Sequence, residues 1–383
     1  MVYVAHNLRI HTQSGQSFVS DNTKEWEDLS KVYFVAILKA YTVSDLNITS
    51  SLVKYYKNDT PFVAKVGAGE NVTFQFKGID YTVKADENGL AKLNITSGPG
   101  KYSITTTYNG TSIVNYIIIK NTVISSDVER GYNSNYDYKL KVVDSAGNPL
   151  KNTYVKISLN NGKYKNYKSD KTGYVTIKFT KLTKKQTIKV KNPSTGEVKT
   201  TTIKVVSRFS GASNIAMYYF DGSKFKAKII GNNAKVVGKG QIVTIKFNKK
   251  TYKVKTSAKG YVSLKMPRTL KPGTYKLTAT YKGQTIKKTI KVKQNLKTKK
   301  YTVKKSAKKL VVKATLKNGK KAVKGKKLTL KFNGKKFTAK TNKYGIAKFT
   351  IKKNVIKKLK KGKKYTMKVT YLKNTIKTTV KVK

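Results

Sequence analysis

A twenty-residue phrase, FNGKKFTAKTNKYGIAKFTI from Phe332 to Ile351, occurs in recognisable form four times in this chain. That repetition constrains the fold more than any other feature. The other copies are FNKKTYKVKTSAKGYVSLKM (Phe247 to Met266), FKGIDYTVKADENGLAKLNI (Phe76 to Ile95) and a copy one residue longer, LNNGKYKNYKSDKTGYVTIKF (Leu159 to Phe179). Their central glycines, Gly89, Gly173, Gly260 and Gly345, are separated by 84, 87 and 85 residues. A strand-like alternation of apolar and polar residues flanks each glycine. The expected role of the glycine is to supply φ > 0 in a hairpin turn between two strands.

A second marker follows each glycine. PGKYSITTTYNGTSIVNYIIIK begins at Pro99, PGTYKLTATYKGQTIKKTIKVK at Pro272 and KGKKYTMKVTYLKNTIKTTVKVK at Lys361, while the second repeat departs with QTIKVKNPSTGEVKTTTIKVV from Gln186. Each unit therefore holds about seven short alternating runs broken by Gly, Asn, Asp or Pro, with no helical segment between. That pattern predicts one antiparallel β-sandwich per repeat, with one dry and one wet face on each sheet. The expected divisions are 41–124, 125–207, 208–296 and 297–383. Residues 1–40 stand outside the repeat and hold the only Trp (Trp26) and both histidines. Within them, NTKEWEDLSKVYFVAILKA reads as a short helix or the tail of a preceding domain.

The motif V-x-D-x-x-G-x-P-L at Val142, Asp144, Gly147, Pro149 and Leu150, followed by a strand, the glycine turn and the PG-x-Y strand, resembles bacterial Ig-like (Big-type) repeats. The form rich in Lys, Tyr, Asn and Thr is similar to adhesin-like surface proteins of methanogenic archaea. The resemblance covers roughly residues 40–383. It implies an all-β chain, a tandem array of four Ig-like sandwiches, and a role as adhesin, stalk or spacer. The ligand stays open, because function resides in grafted sites rather than in such folds.

Catalytic chemistry finds little support. There is no cysteine and no G-x-S-x-G, and from Gly222 to Lys383 there is no Asp or Glu, which removes paired-carboxylate catalysis from that half. It also removes the acid that assists a Lys–Asn isopeptide cross-link in some surface Ig-like domains. His6 and His11 lack further ligands at metal-site spacing. GAGENV (Gly67 to Val72) and GKGQIV (Gly238 to Val243) precede strands, so they read as turns rather than phosphate loops. Asp127, Glu129, Asn133, Asn135 and Asp137 offer oxygen ligands for calcium but without a recognised loop spacing, and a solvated linker is the favoured reading. The expectation is a non-enzyme with no cofactor and no metal.

Two gradients run along the chain. The 83 basic and 17 acidic residues give a net charge of +66, and 79 of the basic residues are lysines. Residues 1–120 have 12 basic and 10 acidic groups, 121–207 have 17 and 6, 208–299 have 23 and 1, and 300–383 have 31 and 0. A uniform codon bias would enrich lysine everywhere without stripping carboxylates from one end. In the opposite direction, all five N-x-[ST] sequons, at Asn47, Asn58, Asn71, Asn94 and Asn109, precede the second repeat, and Pro193 blocks the site at Asn192. Lysine on solvent-facing strand positions also guards sheet edges against pairing between neighbouring sandwiches.

Together these features point to a surface protein, extracellular or associated with the cell wall. Its glycosylated first repeat would project outward, and its basic C-terminal repeats would hold an anionic wall polymer or surface polysaccharide. Lys320, Lys321, Lys335, Lys336, Lys357, Lys358, Lys360 and Lys361 are the candidate wall-binding lysines. Host or neighbouring-cell ligands are further partners the class allows. No segment is apolar enough for a transmembrane helix. The start at Met1 lacks a basic region followed by an apolar one, which reads as an N-terminally truncated fragment. The alternatives are a passive spacer for an upstream binding domain and a basic protein binding nucleic acid non-specifically. Against the latter stand only four arginines and the absence of an RRM or OB pattern, so no specific nucleic acid is expected.

Overall fold

The computed structural model describes residues 9–11, 17–19 and 51–383. Arg9–His11 and Ser17–Val19 form a short antiparallel pair. The helix expected within 22–40, His6 and Asn47 lie outside the described residues. The chain divides into two compact units. One runs through Ser126 and adds Lys139–Thr176 and Thr187–Thr201; the other comprises Asp127–Tyr138, Ile177–Gln186 and Thr202–Lys383. The border passes through the second repeat, so the first sandwich belongs to one unit, and the third and fourth to the other.

The fourth repeat shows how the alternation builds a sandwich. In Lys327–Phe332, Leu328, Leu330 and Phe332 are buried while Lys327 and Lys331 are exposed. The same two-residue period in the neighbouring strands gives a sheet with one face in the core. Its five strands lie in the order Tyr301–Val303, Asn374–Val382, Lys364–Tyr371, Lys327–Phe332, Lys335–Lys340. The opposing sheet is built on Lys309–Asn318, which pairs with Leu296–Thr298, Lys321–Ala322 and Ile346–Lys352. A four-residue helix, Lys353–Ile356, caps the core with Val355 and Ile356.

The third repeat has the same five-strand order, from Ile215–Tyr218 to Lys250–Lys255, and the first has it from Leu52–Tyr55 to Ile79–Lys84. In the second repeat, Tyr154–Leu159 pairs with Lys165–Lys168 and with Gln186–Lys191. The chain is thus a tandem array of Ig-like β-sandwiches, as the sequence predicts. One pair in each departs from antiparallel order: Tyr301–Val303 runs parallel to Asn374–Val382, and Leu52–Tyr55, Val128–Gly131 and Ile215–Tyr218 do likewise with their last strands. The fourth repeat shows the cause. Its opening segment changes sheets, from Leu296–Thr298 in one to Tyr301–Val303 in the other, and so arrives beside the last strand in the same direction.

The four central glycines do not sit in hairpin turns. Gly345 adopts φ +75°, but Lys335–Lys340 before it pairs with Lys327–Phe332, and Ile346–Lys352 after it pairs with Lys309–Asn318. The turn therefore carries the chain from one sheet to the other, and the strands on either side of Gly89 and Gly260 likewise pair elsewhere. The true hairpin turn of the opening phrase is Asn333-Gly334, both with positive φ, as a two-residue turn of this hand requires. The glycine requirement has a second source, visible only in three dimensions. A Cβ at Gly345 would lie 2.4 Å from the Leu316 carbonyl oxygen, and one at Gly89 would lie 2.2 Å from that of Val66. Each close approach exists because the glycine carbonyl accepts a hydrogen bond from the same residue's amide, Leu316 or Val66.

Junctions between repeats inside a unit are sealed by buried polar groups. Glu197 accepts hydrogen bonds from the amides of Thr122 and Val123 and from the Thr122 hydroxyl. Asn192, fully buried, donates to the carbonyls of Thr122 and Val143. Arg208 is fully buried with no carboxylate beside it: Nε donates to the Tyr132 carbonyl at 2.6 Å, Nη2 to Asn232 Oδ1 at 2.9 Å and Nη1 to the Ile230 carbonyl at 3.3 Å. Between the third and fourth repeats the seal is aromatic, with Tyr371 edge-on to both Tyr219 and Phe220.

Gly345→Ala combines a left-handed backbone with a collision against main chain, so it should destabilise the fourth repeat by about 2–4 kcal/mol. Hydrogen exchange at the Leu316 and Ile346 amides should accelerate accordingly. Exchange unchanged from the parent would show that the turn relaxes without cost.

Candidate functional site

All eight lysines singled out from the sequence are exposed, but they do not form one cluster. Lys320 and Lys321 sit at the turn closing Lys309–Asn318, at the end of the fourth sandwich where Lys340 and Ile346 lie. Lys335 and Lys336 open a strand at the opposite end, where the chain after the helix also holds Lys357, Lys358, Lys360 and Lys361. There Leu359 is buried between the lysine pairs, and the Lys360 amide donates to the Tyr365 hydroxyl at 2.8 Å, which pins the loop. Only Lys336 belongs to a larger basic surface on the sheet. Lys357, Lys358, Lys360 and Lys361 are loop residues and the other two pairs sit at strand ends, whereas lysines spaced along strands assemble across them.

The electrostatic environment is one-sided. Among the described residues there are two ion pairs, Lys92–Asp86 at 2.9 Å and Lys204–Glu129 at 2.6 Å, and both precede the third repeat. Lysines lean on tyrosines in early and late repeats alike, Lys101 on Tyr116 at 3.9 Å and Lys228 on Tyr261 and Lys343 on Tyr344 at 5.1 and 5.2 Å from the ring centres.

The loss of carboxylates can be followed position by position. In the first sheet-to-sheet turn, Asp86 Oδ1 accepts from the amides of Asn88 and Leu90; in the second, Asp170 Oδ1 accepts from Thr172 and Tyr174. The third turn uses Ser257, whose hydroxyl accepts from the Tyr261 amide, and the fourth uses Asn342, whose Oδ1 accepts from Tyr344 and Ile346. The same substitution appears beside the parallel strand pair. Asp127 Oδ1 accepts from the Thr202 amide, and Asn214 Oδ1 accepts from the equivalent Thr289 amide. The local job is kept, and the negative charge is removed.

Other candidates resolve into structural roles. Of the five linker oxygens, Asp127 holds Thr202, Glu129 pairs with Lys204, Asn133 donates to the Lys282 carbonyl and Asn135 accepts from the Lys181 amide, so they do not converge on one point. Among the described residues, no group of three or more His, Cys, Asp or Glu is placed to hold a metal ion. Gly67 to Val72 and Gly238 to Val243 lead into strands, not helices. Asn71, Asn94 and Asn109 are exposed, whereas the Asn58 side-chain amide donates to the Ser145 carbonyl at 3.0 Å. No helix among the described residues is long and apolar enough to cross a membrane.

The buried charges Glu197 and Arg208 were not signalled by the sequence. Their residue types ordinarily mark surface, and only the packing of one repeat on the next reveals them.

No family model matches the chain, and no curated protein matches it. Similar solved structures include a titin I9–I11 tandem (12% identity over 68% of this chain and 98% of that one, TM-score 0.33). Another is a Ca2+-stabilised adhesin with which an Antarctic bacterium binds ice (14% identity, 88% and 98% covered, TM-score 0.20). A third is Sidekick-1 immunoglobulin domains 1–5 (10% identity, 87% and 79% covered, TM-score 0.21). Likeness at this level decides neither fold nor function, which rest on the sheet topology and on the residues themselves.

The two turn carboxylates should make the first and second of these turns sensitive to acid, unlike the third and fourth, which use neutral acceptors. Hydrogen bonds from the Lys92 ammonium and the Leu90 amide hold Asp86 below the usual carboxylate range, and those from the Thr172 hydroxyl and the Tyr174 amide do the same for Asp170. A carboxylate depressed in the folded state contributes stability above its unfolded value and loses it as pH falls through the folded one. The D86N/D170N variant keeps the acceptor oxygen that Asn342 uses. Its urea midpoint should fall less than the parent's as pH drops below about 4. Parallel pH profiles for parent and variant would refute this assignment.

Proposed function

We propose that this chain is a non-enzymatic, adhesin-like surface protein that holds an anionic cell-wall polymer or polysaccharide through its third and fourth repeats. The observation that carries this reading is the exchange of turn carboxylates for neutral acceptors, from Asp86 and Asp170 to Ser257 and Asn342, with the hydrogen bond from the amide four residues on kept in each. Drift toward lysine would not select neutral atoms at positions where a carboxylate serves the fold equally well. An anionic polymer would meet carboxylates there as repulsion. The first repeat, with exposed sequons at Asn71, Asn94 and Asn109, would face away from the wall and bear glycans. Asn58 would stay bare, because its amide nitrogen is engaged with Ser145.

Nucleic acid is the weaker partner. The three arginines whose side chains are described are all used internally: Arg208 in its buried junction, Arg130 over Tyr136 and Arg268 over Phe220. Arg208 is enclosed, so only Arg130 and Arg268 among them keep an edge that could fork a phosphate.

Individual exposed contacts contribute about 0–1 kcal/mol, so holding depends on many acting together. The full chain should sediment with isolated carboxylate-rich wall at about 0.1 M salt and be released near 1 M, where screening shortens from roughly 10 to 3 Å. Retention at 1 M salt would rule out an electrostatic hold.

A further inference from the structure

Every outward-facing position on the five-stranded sheet of the fourth repeat is lysine or threonine. Four of the strands carry one pattern, K-x-T-x-K, at Lys327–Lys331, Lys336–Lys340, Lys364–Lys368 and Lys377–Lys381. Pairing brings the patterns into register. Lys336 faces Lys331, Lys331 faces Lys368 and Lys368 faces Lys377, which makes one row of lysines across four adjacent strands. Thr338, Thr329, Thr370 and Thr375 form the next row on one side, and Thr366 faces Thr379 on the other. Beyond these, Lys340 faces Lys327 and Lys364 faces Lys381. Strand spacing makes the central row about 14 Å long, with lysine rows about 13 Å apart and hydroxyls between them.

The fold does not need the lysines. At the equivalent row the first repeat has Asp80, Gln75, Thr105 and Val114, and the third has Thr251, Lys246, Thr278 and Lys287. The neighbouring threonine row, in contrast, is already present in the first repeat as Thr82, Thr73, Thr107 and Ser112. Like charges placed opposite one another on a sheet are destabilising, and the repeat holds no carboxylate to offset them. The row is a standing repulsion that an external polyanion relieves.

We infer that this face is the binding surface and that its ligand is a linear carboxylated polysaccharide lying across the strands. The inference rests on the wall-binding reading above and specifies its site. Lysines reach the carboxylates, and the threonine rows exchange hydrogen bonds with the sugar hydroxyls between them. The face presents no aromatic ring on which a base would stack and no guanidinium to fork a phosphate, which favours an acidic glycan over a nucleic acid.

The test uses the full chain and polygalacturonate, with duplex DNA for comparison and isolated wall as a separate substrate. K331Q/K336Q/K368Q/K377Q removes the central row. K309Q/K313Q/K348Q/K352Q removes four exposed lysines, facing in pairs, from the opposite sheet of the same repeat. At about 0.1 M salt the row variant should bind polygalacturonate about tenfold more weakly, with a shallower salt dependence, and the control about twofold more weakly. The row variant should also melt no lower than the parent, because it loses repulsion, so misfolding would not account for the loss. Equal weakening by both variants would overturn this face as the site while leaving wall binding intact. Wild-type chain that sediments with wall but ignores polygalacturonate would overturn the ligand class, as would tighter binding to DNA. Failure to bind either wall or polygalacturonate would overturn both readings.

Discussion

Everything in this protein depends on the two-residue alternation of its strands. Because Leu328, Leu330 and Phe332 point into the core, Lys327, Thr329 and Lys331 must point out, and the two sets vary independently. Hydrophobic burial between the sheets supplies the stability, so the outer face is free to change its charge as long as the turns and junctions hold. The first and fourth repeats share strand order, parallel edge pair and a threonine row yet differ at every position of the central row on that face. A graded charge on a constant fold is what such a division allows.

Much of this was legible in the sequence. The repeat period, the sandwich in each unit and the positive φ of the central glycines follow from local pattern, since alternation and turn chemistry act over a few residues. The partner of each strand does not. Reading Phe332 to Ile351 as a single hairpin around Gly345 failed because both hairpins and sheet-to-sheet turns use a glycine between alternating runs. Only the pairing of Ile346–Lys352 with Lys309–Asn318, some thirty residues upstream, separates the two. The Lys320–Lys321 and Lys357–Lys358 pairs drew attention for a related reason: adjacency in sequence is easily seen, whereas a row of four across strands needs the register.

The buried charges at the junctions make the same point from the other side. Glu197 and Arg208 read as surface residues in a chain where charge is nearly everywhere, yet both are enclosed and hydrogen-bonded to main chain. Arg208 also explains a glycine with ordinary backbone geometry. A Cβ at Gly131 would stand 2.3 Å from its guanidinium and 2.3 Å from the Gly231 carbonyl oxygen. A carboxylate beside Arg208 would have been the familiar solution. Carbonyl and amide oxygens do the work instead, in keeping with the scarcity of acid in this half of the chain.

Lysine on strands has a second physical use, the protection of exposed sheet edges, and the two uses make different demands. Edge protection requires charge on the outermost strand alone, where unpaired main chain invites another sheet. Lys336 and Lys340 on Lys335–Lys340 meet that need. Lys331 and Lys368 are paired with main chain on both sides, where no edge remains to be guarded, whereas Lys377 lies beyond the three-residue pair with Tyr301–Val303. Edge protection therefore accounts for Lys336 and Lys377 of the central row and leaves Lys331 and Lys368, placed at a cost in mutual repulsion. Solubility does not require them either, because net charge acts through its total and not through alignment. A row of four like charges in register, longer than the facing pairs of the opposite sheet, suits a ligand with its own line of opposite charges.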